Sequence, residues 1–155
     1  MAEVKTVAEL QAMVGQEIGV SDWVEVPQEM INAFAECTGD KQWIHVDVEK
    51  AEIGPYGTTI AHGFLTLSMI PVFGASMTVM PAGITMAINY GLDKVRFISP
   101  VKVGSKVRAK MELMGITPKG DRLIMKVKYT AEIEGEAKPA FVAEMLVLFF
   151  IAPKE

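Results

Sequence analysis

The sequence predicts an α+β fold in which an antiparallel sheet wraps around a central apolar helix. Three observations carry this reading. Between Glu52 and Asp93 there is no Asp, Glu, Lys or Arg, and part of that run has helical spacing. After Gly83 the apolar spacing changes to alternation, and turn residues interrupt the alternating part twice. A helix that is apolar all round belongs inside a protein, and alternating strands supply a face to cover it.

The elements follow in order. Thr6-Val7-Ala8-Glu9 has the pattern of a capping box and Gly15 supplies a stop, so residues 7–14 should form a short helix. Gly19 to Val26 reads as a short strand. Pro27 suits the first position of a helix, and Met30, Phe34 and Cys37 then recur at helical spacing. Gly39 ends that helix and delivers Asp40 at its exit. Residues 40–57, with Gly54, Pro55 and Gly57, read as an irregular connection of the kind that often carries function.

Thr58 or Thr59 can cap the next helix, expected over residues 60–73 and enclosed by the rest of the chain. Ile60, Phe64, Leu67 and Ile70 recur at helical spacing, while Leu65, Met69 and Val72 fill much of the other side. Pro71 should kink or end it near its last turn. Beyond Gly83, Val95, Phe97, Val101 and Val103 share a parity, as do Val107, Ala109, Met111 and Leu113. Leu123, Met125, Val127, Tyr129, Ala131 and Ile133 repeat it, with Arg122, Lys126, Lys128 and Glu132 opposite. Pro118-Lys119-Gly120-Asp121 and Glu134-Gly135-Glu136 are the expected hairpin turns. The stretch from Ala140 to Ile151 is apolar on both faces except at Glu144, as for a strand covered on both sides.

Composition narrows the function classes. The 155 residues fit one domain spanning 1–155, half of them hydrophobic, with a formal net charge of −4. No lysine and arginine block stands out, which argues against nucleic-acid binding. Lys94, Arg96, Lys102, Lys106 and Arg108 could still form a local basic patch or simply a solvated strand face. The lone Cys37 has no internal disulfide partner and is expected to be a small buried residue. The charge-free run is broken by Gly57, Gly63, Pro71, Gly74, Pro81 and Gly83, so a buried helix is preferred to a membrane span. The first twenty residues carry Glu3, Lys5, Glu9 and Glu17, without the apolar stretch of a signal peptide. A cytoplasmic location is the expectation.

Two short segments carry chemistry. Thr38-Gly39-Asp40 is followed by Ile44-His45-Val46-Asp47, and then by Thr59-Ile60-Ala61-His62-Gly63. Asp40 and His45 on one connection can converge as an acid and base pair. Gly63, at the start of a helix, offers a backbone N–H to a developing oxyanion. Each residue also has a plainer reading. Asp40 can cap a turn, His45 and His62 can be structural histidines, and Gly63 can permit a close approach. His45, Asp47 and His62 do not have the spacing of a metal motif.

The run from Phe34 through Asp47 strongly resembles the signature of the MaoC-like, (R)-specific enoyl-CoA hydratases. Ala61-His62-Gly63 looks like that family's second motif, and Asn89-Tyr90-Gly91-Leu92-Asp93-Lys94-Val95-Arg96-Phe97 resembles a strand of its NodN-related subgroup. The resemblance implies a hot-dog fold, usually dimerised through a sheet edge. It implies reversible syn hydration of a trans-2-enoyl-CoA to an (R)-3-hydroxyacyl-CoA. Asp40 and His45 would handle water and protons, and the Gly63 N–H would bind the thioester carbonyl. No cofactor is implied, because the CoA thioester is itself the substrate. Many members carry Asn-Pro where this chain has Gln42-Trp43; Gln42 keeps an amide for the site, and Trp43 offers a bulkier wall for the pocket. A hot-dog thioesterase or a non-catalytic acyl-thioester binder is the alternative on the same fold.

Overall fold

Thr6 opens the first helix as its sequence requires. In the computed structural model, which describes residues 2–152, the Thr6 hydroxyl accepts the Glu9 N–H at 3.3 Å. The Glu9 carboxylate in turn accepts the Thr6 N–H at 2.7 Å. This reciprocal cap starts α1 (Val7–Ala12). The expected strand at 19–26 is two pieces, β2 (Glu17–Val20) and β3 (Val24–Glu25). Both pair with the same later strand, β6 (Lys106–Lys119), and between them Ser21 stays bonded to Ala109 of that strand, its N–H donating to the Ala109 carbonyl and its Oγ accepting the Ala109 N–H.

Pro27 stands just before α2 (Gln28–Thr38), which buries Ile31 and Ala35. The buried face lies beside the one expected, and Cys37 points outward: it is exposed, not buried. Gly39 stops the helix in the left-handed region, at φ 82°, with its N–H on the Ala35 carbonyl. Glycine adopts that conformation without a Cβ clash, so the chain turns sharply and sends Asp40 back across the helix end. The following connection is more regular than expected. It contains α3 (Trp43–Val46) and α4 (Val48–Glu52). Asp47 caps α4 by accepting the Lys50 N–H at 3.0 Å, which commits its carboxylate to the backbone.

The charge-free run holds two short helices, not one. These are α5 (Gly63–Ser68) and α6 (Ile70–Gly74), with the break at Met69. Pro71 has no N–H for the Leu67 carbonyl, and its ring disfavours helical backbone just before it. The Thr66 and Ser68 hydroxyls add to the break by bonding carbonyls three residues back, those of Gly63 and Leu65. The residue before the first turn is His62, so neither Thr58 nor Thr59 is the cap. The helices are also less enclosed than expected: Leu65, Thr66, Ile70 and Phe73 are buried, but Phe64 is 70% exposed and Val72 56% exposed.

Alternation gives β6 and β7 (Arg122–Ile133) correctly, but the first alternating set fails: β5 (Ile84–Phe97) ends at Phe97, which is exposed, and Val101 and Val103 lie beyond it in the connection to the next strand. β5, β6, β7 and β8 (Phe141–Ile151) pair antiparallel in the order β2-β6-β7-β8-β5, with β3 beside β6. Gly120 and Gly135 sit at positive φ in the two expected turns. Val107, Ala109, Met111 and Leu113 face inward against Leu123, Met125, Val127 and Tyr129 of β7. Each such valine, leucine or methionine taken from water contributes about 1.5–3 kcal/mol. β8 has a strand on either side, yet its outer face, including Val142 and Glu144, is only half-buried. Its apolar character comes from a central position in the sheet and not from cover on both faces. A two-stranded parallel ribbon of β1 (Glu3–Lys5) and β4 (Val79–Pro81) completes the fold. No helix among the described residues is long and apolar enough to cross a membrane.

Candidate active site

Three chain segments meet where α2 ends. Gly39 delivers Asp40, α3 carries His45, and the segment before α5 carries His62. One carboxylate oxygen of Asp40 and one ring nitrogen of each histidine lie within 4.8 Å of one another. Both histidines are buried, while Asp40 is exposed.

Ile60 fixes the His45 ring. Its carbonyl lies 2.7 Å from Nδ1, and its N–H donates to the Ile44 carbonyl at 3.0 Å. A carbonyl only accepts, so Nδ1 carries the proton and the neutral ring presents a bare Nε2. Burial holds the His45 pKa below the usual histidine value, and the neighbouring His62 adds to that. The Ile60 carbonyl and the Asp40 carboxylate pull the other way. His45 is therefore neutral at neutral pH, with one basic nitrogen free.

His62 bonds a backbone carbonyl. Its Nε2 donates to the Asp40 backbone carbonyl at 2.9 Å. Its ring stacks on His45 with 3.8 Å between centroids and packs against Phe34 at 4.9 Å. Its Nδ1 is buried without a hydrogen-bond partner among the described residues. The two ring planes differ by 25°, and Asp40, His45 and His62 carry donor atoms close enough to one another to share a cation.

Gly63 is the first residue of α5, and the His62 side chain does not cap that helix. The first N–H to reach a carbonyl within the turn is that of Thr66, on His62. A Cβ at Gly63 would lie 2.9 Å from the Phe97 ring, so only glycine fits here without moving the aromatic. A cleft of about 250 Å³ reaches Gly63 between Tyr56, Ile60, Thr66, Phe97 and Ile98. A second, of about 370 Å³, runs from Phe64 and Leu67 to Tyr90 and Leu92. Asp40 and His45 do not line either cleft; they adjoin the first through Ile60 and His62.

Gln42 is exposed, and its backbone N–H, at 3.5 Å, is what approaches Asp40 Oδ1. Trp43 packs on Gly54 and under the Lys50 ammonium, 4.8 Å from the ring centroid. It braces its own connection and forms no wall of either cleft. Of the basic residues, Arg108 is paired with Glu132 at 2.8 Å and Lys94 stands 3.8 Å from Glu144. Sequence gives no sign of Gln28 and offers Thr59 only as a helix cap, yet the two hold the site together: Gln28 Nε2 donates to the His45 carbonyl at 2.8 Å and Thr59 donates to Gln28 Oε1.

The family description "MaoC like domain" matches residues 9–135. The chain belongs to the MaoC-like family. It is 51% identical to 3-hydroxyacyl-thioester dehydratase Z of Mycobacterium tuberculosis over 150 residues, covering 96% of this chain and 99% of that protein. It is 41% identical to nodulation protein N of Rhizobium leguminosarum, covering 97% and 94% respectively. Among solved structures it resembles R-hydratase PhaJ1 of Pseudomonas aeruginosa at 25% identity and a TM-score of 0.67, covering 92% of this chain and 83% of that one. The MaoC-like fold is the hot dog, as the sheet and its helices here have it. The chain is a MaoC-like dehydratase, a hydro-lyase.

Proposed function

We propose that this hydro-lyase interconverts a trans-2-enoyl thioester and water with an (R)-3-hydroxyacyl thioester, on CoA. The observation that carries the reading is the juxtaposition of an exposed Asp40 carboxylate with a neutral, buried His45 whose Nε2 is free. The names of the relatives, a 3-hydroxyacyl-thioester dehydratase and an R-hydratase, support the substrate class and the stereochemistry.

In the hydration direction, the Gly63 N–H polarises the thioester carbonyl and makes the β-carbon electrophilic. Water held between Asp40 and His45 adds its oxygen to that carbon and gives up a proton to the pair. The pair returns a proton to the α-carbon on the same face, so the addition is syn and the proton count closes. Addition of water changes no oxidation state, so the step uses no redox cofactor. The clefts beside Gly63 and along Tyr90 and Leu92 are apolar enough to take the acyl chain. Of the five basic residues from Lys94 to Arg108, Arg96, Lys102 and Lys106 are the ones offered to CoA phosphates.

We further read the protein as a cytoplasmic homodimer. β5 is an edge strand, and Met86, Ile88, Tyr90 and Leu92 on it are each at least 40% exposed. An unpaired apolar edge of that length is a template for strand pairing. The test of function is a spectrophotometric series of trans-2-enoyl-CoA chain lengths, with chiral analysis of the product. Loss of enoyl absorbance, an (R) product and no free thiol are expected. Thiol release from saturated acyl-CoA without hydration would make it a thioesterase instead.

A further inference from the structure

α3 is a single turn, so its own ladder satisfies few of its carbonyls. The Trp43 carbonyl takes the Asp47 N–H, and the Ile44 carbonyl takes the Ile60 N–H, each at 3.0 Å. The carbonyl of His45 itself is taken by a side chain, Gln28 Nε2 at 2.8 Å. The same nitrogen donates to Asn32 Oδ1, one turn along α2, at 2.9 Å. Gln28 Oε1 accepts from the hydroxyl of Thr59, which is 1% exposed. Both ends of the carboxamide are thus engaged, and the His45 carbonyl dictates which end faces it.

Thr59 and Ile60 are adjacent, and this is what gives the arrangement its consequence. Thr59 anchors Gln28, which grips the backbone of His45. Ile60 grips the backbone of Ile44 and, through its carbonyl, the His45 ring. The segment is itself tied to the loop before β6, by Ala61 N–H to the Val101 carbonyl at 2.7 Å and Val103 N–H to the Thr59 carbonyl at 3.0 Å. Three points therefore fix a one-turn helix that could not hold its own geometry.

We propose that Gln28, anchored by Thr59, is a positioning residue for His45, keeping Nδ1–H on the Ile60 carbonyl and Nε2 free. The proposal rests on the role given to His45 above, so its test includes a readout that does not need turnover. The chain has two histidines, so ring ¹⁵N spectra resolve the tautomer and titration of each; His62 and Asp40 are the titratable groups facing His45. In Gln28→Met, folded by circular dichroism, His45 should lose its dominant Nδ1–H tautomer and titrate higher as water reaches the ring. The kcat should fall roughly tenfold, with KM within about twofold. Thr59→Val should reproduce the ring change in weaker form, and Thr59→Ser should restore the wild-type spectrum. Wild-type ring shifts in folded Gln28→Met, whatever its kcat, would overturn the proposal. Should Gln28→Met not fold, wild-type ring shifts in Thr59→Val would do so. Altered ring shifts in a protein whose wild type hydrates no enoyl thioester would keep the positioning role and remove the proposed function alone.

Discussion

The ring of His45 lies on the ring of His62, 3.8 Å between centroids, and each ring donates one N–H to a backbone carbonyl. The carbonyls are those of Ile60 and Asp40. One stack thus ties the segment entering α5 to both members of the candidate acid and base pair.

His62→Phe keeps the stack and removes the bond to Asp40. The lost neutral hydrogen bond costs about 1 kcal/mol, while removal of Nδ1, buried with no partner among the described residues, relieves a desolvation cost of similar size. Thermal unfolding should therefore shift little, whereas kcat should fall roughly tenfold as Asp40 loses its tether. Paired melting and steady-state measurements separate the two effects.

Gly63→Ala forces a Cβ to within 2.9 Å of Phe97. Overpacking of this kind costs about 1–3 kcal/mol. The strain should disappear in a Phe97→Ala background, so the two substitutions should be non-additive in denaturant unfolding. Additive effects would mean that the ring does not bear on Gly63.

The pH dependence follows from His45. Its pKa is lowered in the folded state, chiefly by burial, so the unfolded chain binds the extra proton first. Stability from this group is full above pH of about 6.5, the unperturbed value, and declines as pH falls through the lower folded value. The acid limb of kcat/KM should likewise lie below about pH 6.5 and vanish in His45→Ala. A pH series of unfolding and initial rates checks both.

Edge strand β5 supplies the assembly prediction. Ile88→Lys places a charge on an exposed apolar edge, and sedimentation should then give a monomer where the wild type gives a dimer. A wild-type monomer would contradict the reading of that edge.

The sheet was legible because inward and outward residues alternate: Leu123 to Ile133 in β7 face the core at every second position. The closeness of Asp40 and His45 was legible because a helix stop and a short connection put them five residues apart; the contacts that hold them there, from Gln28, Ile60 and His62, were not. What stayed hidden depends on tertiary contacts. Nothing local tells that Gln28 meets Thr59, 31 residues on, or that Gly63 meets Phe97. The single long helix failed because periodicity runs through Met69 although Pro71 removes a backbone donor, and Cys37 failed because α2 buries the neighbouring Ile31 and Ala35 face.

The most direct measurement is kcat for trans-2-enoyl-CoA hydration by Asp40→Asn, an isosteric change at an exposed position. With unfolding unchanged, kcat should fall by about a hundredfold or more. Turnover within about twofold of wild type would contradict the account of the Asp40 and His45 pair.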